Sequence, residues 1–234
     1  MGLNQFKEFF NKKRVIFIAL FAIFAFIAQR INFSGLIGAE NQFFTLFQFF
    51  GPIAGAFLGP IAGVAAVLLA ETTDFLIAGK EATLVNIIRL FPMLFATYYF
   101  ATNKRALNIA IPVISIMLFL ANPIGRQVWF FALFWTIPII IRLIPRLSDS
   151  VPGRSLGATF TAHSVGGALW IWTVPMTVSQ MIALIPIVAY ERLLFAAGIG
   201  ISFILVNAIL DLALTRLNIK VNQEVLRIDK KFTI

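Results

Sequence analysis

The sequence contains no cysteine and a single histidine, His163. Without cysteine the chain has no disulfide and no thiolate that would bind a metal or act as a nucleophile. One histidine likewise excludes a metal site built from several imidazole ligands. Charged residues are scarce at 12%, whereas hydrophobic residues make up 60% of the 234-residue chain. The mean hydropathy of +0.92 is too high for a soluble domain of this size, so the sequence predicts an integral membrane protein.

Motifs of the common enzyme classes are also missing. The sequence has no GxSxG nucleophile elbow, no HExxH zinc motif, no paired-aspartate metal site and no Walker nucleotide loop. We therefore expect a protein that is not an enzyme and that carries no cofactor. The formal net charge is +9, but the basic residues lie in loops and tails beside apolar runs. This placement indicates the anionic headgroups of a lipid bilayer, rather than nucleic acid, as their partner.

A glycine-rich stretch, FFGPIAGAFLGPIAGVAA, is the most distinctive part of the chain. Its glycines recur at every fourth position, as Gly51, Gly55, Gly59 and Gly63. On a helix they would form one smooth stripe, which lets two helices pack closely within lipid. Pro60 lacks an amide donor, so the stretch predicts a broken pair of short helices within 43–78, with a reversal or kink at Gly59-Pro60. Ordinary helix packing and a ligand site beside the broken helices both fit this pattern.

Eight apolar runs follow the basic N-terminus: 15–28, 43–58, 60–78, 84–101, 106–122, 127–145, 157–175 and 183–215. They predict an all-α, polytopic transmembrane bundle of six to eight membrane helices. The number stays open because 43–58 would span only about 24 Å, which is short for a hydrocarbon core of about 30 Å. Residues 1–14 are predicted to form a basic interfacial leader, 15–215 a single transmembrane domain and 216–234 a basic cytoplasmic tail.

The distribution of basic residues predicts the orientation. If the N-terminus is inside and all eight runs cross, thirteen lysines and arginines lie in the inner segments 1–14, 102–105, 146–156 and 216–234. The outer loops hold only three, which are Arg30, Lys80 and Arg126. This excess on the inside predicts a multi-pass protein of the cell membrane with both termini in the cytoplasm.

Several polar side chains fall at a comparable depth near the predicted outer side. Glu71 and Asp74 share one helix face, Arg89 lies early in the next run, and Glu191 lies early in the last run. A buried charge costs several kcal/mol unless it is paired, so we expect Glu71 or Asp74 to pair with Arg89. Glu191 is expected to join them, and Asp74 is otherwise expected at the exposed outer surface. These groups form either a salt-bridge network that fixes the helices or an outward-facing pocket for a small solute.

In the pocket interpretation, the candidate substrate-binding residues are Glu71, Arg89, Asn86, Trp170 and Glu191. His163 is expected nearer the inner side, where a lone membrane histidine is more often a hydrogen-bonding group between helices than a catalyst. Two alternatives to solute capture remain open. One is a membrane-embedded enzyme or lipid-handling protein that uses His163 and Glu191, and the other is a scaffold subunit without a ligand.

Within residues 43–92, a short helix leads into a GPxxG turn, and a glycine- and alanine-rich helix that ends in polar residues follows. The sequence of this part is FTLFQFFGPIAGAFLGPIAGVAAVLLAETTDFLIAG, with LVNIIRLFP shortly after it. This arrangement resembles the substrate-binding S component of energy-coupling factor (ECF) vitamin transporters, over about the first 105 residues. The resemblance implies a vitamin-like solute near the extracellular side, covered by the loop 29–42. It also implies a separate energising membrane subunit and ATPases. On this basis the sequence predicts a small-solute capture subunit.

Overall fold

The computed structural model describes residues 12–35 and 43–233. Its α-helices are α1 (Lys12–Ala28), α2 (Phe47–Leu58), α3 (Pro60–Ile77), α4 (Leu84–Ile88), α5 (Pro92–Ala101), α6 (Arg105–Ala121), α7 (Pro123–Gln127), α8 (Ile137–Leu143), α9 (Pro145–Ser148), α10 (Val151–Thr173) and α11 (Val178–Arg216). The 3₁₀ segments are Trp129–Thr136 and Lys230–Phe232. Two short strands, β1 (Asn32–Gly35) and β2 (Phe43–Thr45), pair antiparallel into a β-ribbon. The helices dominate, so the all-α prediction is confirmed.

Three helical stretches in the described part of the chain are long and apolar enough to cross a membrane. They are Pro60–Ile77, Leu84–Ala101 and Val178–Arg216. Four shorter apolar helices of 10–17 residues accompany them: Arg14–Ala28, Phe47–Leu58, Arg105–Ala121 and Trp129–Leu143. The structure thus shows a helical protein with some helices suited to a membrane.

The predicted break between α2 and α3 lies at Gly59. This glycine has a φ of 82°, a left-handed conformation that residues with a Cβ rarely adopt. Pro60 occupies the first turn of α3, where its missing N–H removes no hydrogen bond. The two helices then fold back on each other, because a Cβ added to Gly63 would lie 2.3 Å from the Cα of Gly55. The Gly-Pro pair therefore makes a tight helical hairpin.

The glycine stripe on α2 also packs against α5. A Cβ on Gly51 would meet the Met93 side chain at 2.7 Å, and a Cβ on Gly55 would meet the Thr97 carbonyl oxygen at 2.6 Å. Gly59 departs from the predicted packing role, since its nearest neighbour is the guanidinium of Arg227 at 3.2 Å. Small residues at positions 51, 55 and 63 therefore bring three helix backbones together.

Helix α10 packs against α5, α6, α8 and α11 and so lies at the centre of the bundle. Two of its four glycines lie against aromatic rings of the neighbouring elements. Gly157 faces Tyr99 of α5, and Gly167 faces Trp135 of the 3₁₀ segment. These close contacts fix the middle of α10, which carries His163.

Two arginines, Arg142 and the half-buried Arg154, close the C-terminal end of α5, where the last carbonyls of a helix have no partner within the helix. Arg142 is fully buried and donates to the carbonyl of Tyr99 and, at 2.7 Å, to Asn103 Oδ1. Arg154 donates twice to the carbonyl of Phe100, at 2.6 and 2.9 Å. Positive charge at this end also complements the helix dipole.

The segment after α11 folds back onto the bundle. Asn207 is fully buried and holds the segment through its amide, which donates to the carbonyls of Asp229 at 2.9 Å and Phe232 at 3.0 Å. The Arg227 N–H donates to the carbonyl of Phe57 at 2.8 Å, and Leu226 is 2% exposed. The described part of the predicted basic tail is therefore packed against the end of α2.

Candidate functional site

A cavity of about 440 Å³ lies between the β-ribbon and the helices α3, α4, α10 and α11. Its volume is within the range of roughly 300–1,000 Å³ that is typical of small-molecule sites. All five residues that the sequence predicts as substrate-binding line this cavity: Glu71, Asn86, Arg89, Trp170 and Glu191. Residues that are far apart in sequence are thus brought to one concave site. Their role in binding a substrate remains a prediction.

The ion pair expected between Arg89 and Glu71 or Asp74 does not form. Arg89 Nη2 instead donates to the carbonyl oxygen of Phe43 at 2.9 Å. Among the described residues, no hydrogen bond or salt bridge involves the Glu71 carboxylate. Arg89 does not pair with a carboxylate because the ribbon lies against its guanidinium and supplies the Phe43 carbonyl as an acceptor.

Asp74 is not at an exposed surface, contrary to the expectation. It is 5% exposed, and its two carboxylate oxygens are bound by Arg30 at 3.0 Å and Lys80 at 2.6 Å. Both cations come from loops, one before the ribbon and one after α3. Because two cations compensate its lost hydration, Asp74 can be buried at the edge of the cavity.

Glu191 is also fully engaged, but with other partners than predicted. Its Oε1 accepts a hydrogen bond of 2.7 Å from Ser34 of the ribbon, and its Oε2 lies 3.3 Å from Arg192 Nη2. The Arg192 guanidinium is in turn stacked between Phe44 and Phe195, at 4.8 and 4.5 Å from their ring centres. Stacking on aromatic faces favours arginine, because its planar cation is weakly hydrated. The network thus joins β1, β2 and α11.

His163 lines the same cavity as Glu71, so its predicted position on the opposite side is wrong. The prediction measured depth from an apolar run at 157–175, whereas α10 begins at Val151 and places His163 near its middle. The Nδ1 atom of His163 accepts a hydrogen bond of 3.0 Å from the indole of Trp135. Since an indole only donates, the neutral imidazole carries its hydrogen on Nε2. The enzyme alternative required His163 beside a carboxylate, and no described hydrogen bond joins them.

The other two predicted residues have simpler surroundings. Trp170 lies seven residues after His163 and therefore on the same face of α10. Asn86 lies in the first turn of α4, which Thr83 caps, and its side chain donates to the carbonyl of Glu81 at 3.0 Å. Asn86 therefore supports the loop before α4 as well as the wall of the cavity.

The β-ribbon covers part of the cavity, and besides the stacking of Phe44 three polar contacts attach the ribbon and the loop before it to the walls. These are the Arg30–Asp74 salt bridge, the Ser34–Glu191 hydrogen bond and the bond from Arg89 to the Phe43 carbonyl. The sequence assigned three charged residues to substrate binding. Arg89 and Glu191 hold the ribbon, whereas Glu71 makes no hydrogen bond with its described residues. Within the predicted covering loop 29–42, residues 36–42 lie outside the described residues.

Two further polar residues of the cavity, Gln29 and Arg192, were not among the predicted substrate-binding residues. Gln29 Oε1 and Arg192 Nε are both buried, and neither has a hydrogen-bond partner in the described chain. Buried polar atoms are normally satisfied, so these two have hydrogen-bonding capacity that the described residues do not use. The sequence signal was available for Gln29, because it is the first polar residue after the apolar run 15–28.

The fold and the cavity define a helical protein with helices suited to a membrane and a charged internal site. No protein-family model, curated protein or solved structure matches the chain. The functional inference therefore depends on the sequence and on the geometry of this cavity.

Proposed function

We propose that this chain is a multi-pass membrane protein that captures a small, vitamin-like solute, in the manner of an ECF S component. The observation that carries the proposal is the cavity of about 440 Å³, which is lined by all five predicted binding residues. Its walls combine a few charged groups with aromatic and aliphatic side chains, a combination that is typical of sites for small organic molecules.

The surface of the helices supports a multi-pass arrangement of six to eight spans. Large apolar side chains point outward on several helices, such as Phe24 of α1 at 64%, Leu76 of α3 at 75% and Ile209 of α11 at 63% exposure. Extensive apolar surface is rare on soluble monomers and is expected where a protein contacts lipid. Among the shorter helices, α2 is mostly buried within the bundle, which is where a helix too short to cross can lie in a membrane protein.

The charged residues support the proposed orientation. Arg14 lies at the start of α1 and donates to the carbonyl of Glu224, so residues assigned to the cytoplasmic side meet there. Arg30 and Lys80, which are assigned to the outside, meet at Asp74 near the ends of α1 and α3. The cavity therefore faces the non-cytoplasmic side in this orientation.

The β-ribbon would act as the cover of the site. Three of its contacts are polar, so water can replace these bonds when the ribbon moves away, and Phe44 would then also leave Arg192 and Phe195. A solute would enter while these bonds are open and would be enclosed when they form again. The energy for release would come from a separate membrane subunit with ATPases, because the chain has no nucleotide-binding motif of its own.

Thermal unfolding in detergent with a panel of vitamins tests capture. A ligand that binds only the folded state at about one hundred times its Kd adds about 2.7 kcal/mol to the free energy of unfolding. We expect at least one member of the panel to raise the Tm in a concentration-dependent way. A panel without any such effect would contradict the proposal.

A cavity-filling variant shows where the compound binds. Gly166 lines the cavity, and a Cβ there would meet nothing closer than Pro92 at 3.5 Å. Gly166→Val should therefore fold normally and lose the ligand-induced rise in Tm. The matched control is Gly200→Val on α11, which has similar clearance, 3.4 Å to Ser155, and lies outside the cavity. Equal ligand effects in the two variants would place binding elsewhere.

A further inference from the structure

The charges around the cavity divide into two sets. Asp74 and Glu191 have both carboxylate oxygens bound by groups of the protein. Glu71 has no hydrogen bond or salt bridge within the described chain, and Arg89 donates to a neutral carbonyl rather than to a carboxylate. Within the described residues, the cavity thus contains one carboxyl group and one guanidinium that no protein group of opposite charge contacts directly.

Glu71 and Arg89 are half-buried in the cavity wall, where a charge without a partner is less well hydrated than at an open surface. A desolvated carboxylate is stable only when a cation or several donors compensate it, and the same holds for a guanidinium and anions. Glu71 and Arg89 interact electrostatically, yet they are not within salt-bridge distance of each other. A ligand that carries both signs of charge would pair both groups at once.

We propose that the solute is a zwitterion, with a cationic N–H group bound to Glu71 and a carboxylate or phosphate bound to Arg89. This inference rests on the proposed capture function and specifies its substrate class. Arginine suits the anionic end because its planar fork can bind two oxygens of one group. The ribbon contact at the Phe43 carbonyl uses one Arg89 nitrogen and leaves the rest of the fork for the solute.

The remainder of the cavity indicates the body of the solute. Phe131, Trp170 and Met181 line it and provide aromatic and thioether surfaces. His163 adds an Nε2–H donor, because Trp135 occupies Nδ1. The substrate class is therefore a zwitterion with an aromatic or apolar body that also carries a hydrogen-bond acceptor.

Three probes with the same phenyl body separate the charges: L-phenylalanine carries both, phenethylamine only the cation and hydrocinnamate only the anion. Binding is measured in detergent by titration calorimetry and by the rise in Tm. We expect L-phenylalanine to bind at least about tenfold more tightly than either singly charged probe. Equal or tighter binding of phenethylamine or hydrocinnamate would overturn the zwitterion assignment.

Substitutions assign each charge to its residue. Glu71→Gln should lower the affinity for L-phenylalanine and phenethylamine about tenfold and leave the affinity for hydrocinnamate unchanged. Arg89→Gln should lower the affinity for L-phenylalanine and hydrocinnamate about tenfold and leave the affinity for phenethylamine unchanged. Arg89→Lys keeps the charge and should retain most of the preference for an anion, which separates charge from loosening of the ribbon. The matched controls are Glu81→Gln and Arg105→Gln, which are exposed and lie outside the cavity.

The outcomes separate the two proposals. If no vitamin and no probe stabilises the protein, capture itself fails, and the zwitterion assignment fails with it. If a vitamin binds and Gly166→Val abolishes its binding, but Glu71→Gln and Arg89→Gln leave its affinity unchanged, capture stands and the zwitterion assignment is overturned. Loss of affinity in both variants, with no loss in the controls, supports the assignment.

Discussion

His163 has two ring nitrogens in different environments, and this difference determines what it can offer to a ligand. Its Nδ1 accepts from Trp135, and the rings of Phe131 and Phe160 lie 5.7 and 6.3 Å from its own. Apolar surroundings of this kind favour the neutral imidazole. With Nδ1 occupied by Trp135, the group that His163 offers to a ligand is the Nε2–H donor.

Trp135→Phe should remove the hydrogen bond that holds the His163 hydrogen on Nε2, so that both neutral tautomers can form. Because His163 is the only histidine, ¹⁵N-histidine labelling gives one imidazole spectrum for the whole protein. We expect the Nε2–H form alone in the parent protein and a mixture of both forms in the variant. The unpaired Nδ1 should also lower the free energy of unfolding by about 1–3 kcal/mol. Trp172→Phe is the control, since that indole donates to Leu118. An unchanged spectrum in Trp135→Phe would contradict the assignment.

The sequence predicted which residues line the cavity better than it predicted their partners. Glu71, Arg89 and Glu191 were found because ionisable groups within apolar runs are unusual. Arg89 and Glu191 actually contact the Phe43 carbonyl and Ser34, which belong to the ribbon, and Glu71 forms a hydrogen bond with neither. Hydropathy and helical spacing contain no information about how a loop folds over helices, so these contacts were not predictable.

Among the elements, the α2–α3 hairpin depends on two glycines in contact. The sequence predicted the break, because Gly-Pro both ends one helix and begins the next. It did not predict that Gly55 and Gly63 would touch each other, nor that α10 would lie at the centre of the bundle. Both features depend on which helices become neighbours, and the spacing of residues within one helix does not determine this.

Gly63→Ala should disrupt the hairpin. The new Cβ would lie 2.3 Å from the Gly55 Cα and 2.5 Å from its nitrogen, and backbone atoms cannot move aside as a flexible side chain would. We expect a loss of about 1–3 kcal/mol in the free energy of unfolding, or a clear fall in Tm in detergent. Gly166→Ala is the matched control, because its Cβ would make only ordinary contacts. Equal stability of the two variants would show that the hairpin is less tightly packed than described.

The β-ribbon is the element whose movement the proposed function requires. Ser34→Ala removes the 2.7 Å hydrogen bond to Glu191 and leaves the other two attachments. One such bond contributes about 1 kcal/mol, so the amides of β1 and β2 should exchange with deuterium about fivefold faster. Ser179→Ala, at an exposed site on α11, is the control and should leave ribbon exchange unchanged. The proposal of a movable cover loses support if the ribbon exchanges equally slowly in Ser34→Ala.

For the whole molecule, the proposed orientation requires opposite ends of the bundle to face opposite sides of the membrane. α3 has 18 residues and is thus about 27 Å long, close to the thickness of a hydrocarbon core. Its N-terminus lies beside Gly59 and Arg227, and its C-terminus lies beside Asp74 and Lys80. The docked C-terminal segment and the ion cluster at Asp74 are therefore separated by about one membrane thickness.

Single cysteines test this arrangement directly, because the native chain has none to remove. Ala82→Cys lies in the exposed loop near the cavity, and Ala106→Cys lies exposed at the start of α6, beside the residues assigned to the cytoplasm. A membrane-impermeant maleimide should label Ala82→Cys in intact cells, whereas Ala106→Cys should react only after the cells are permeabilised. Both sites are equally accessible in detergent, so labelling there serves as the reference. Labelling of both cysteines from outside would contradict a membrane crossing between them, and the reverse pattern would place the cavity on the cytoplasmic side.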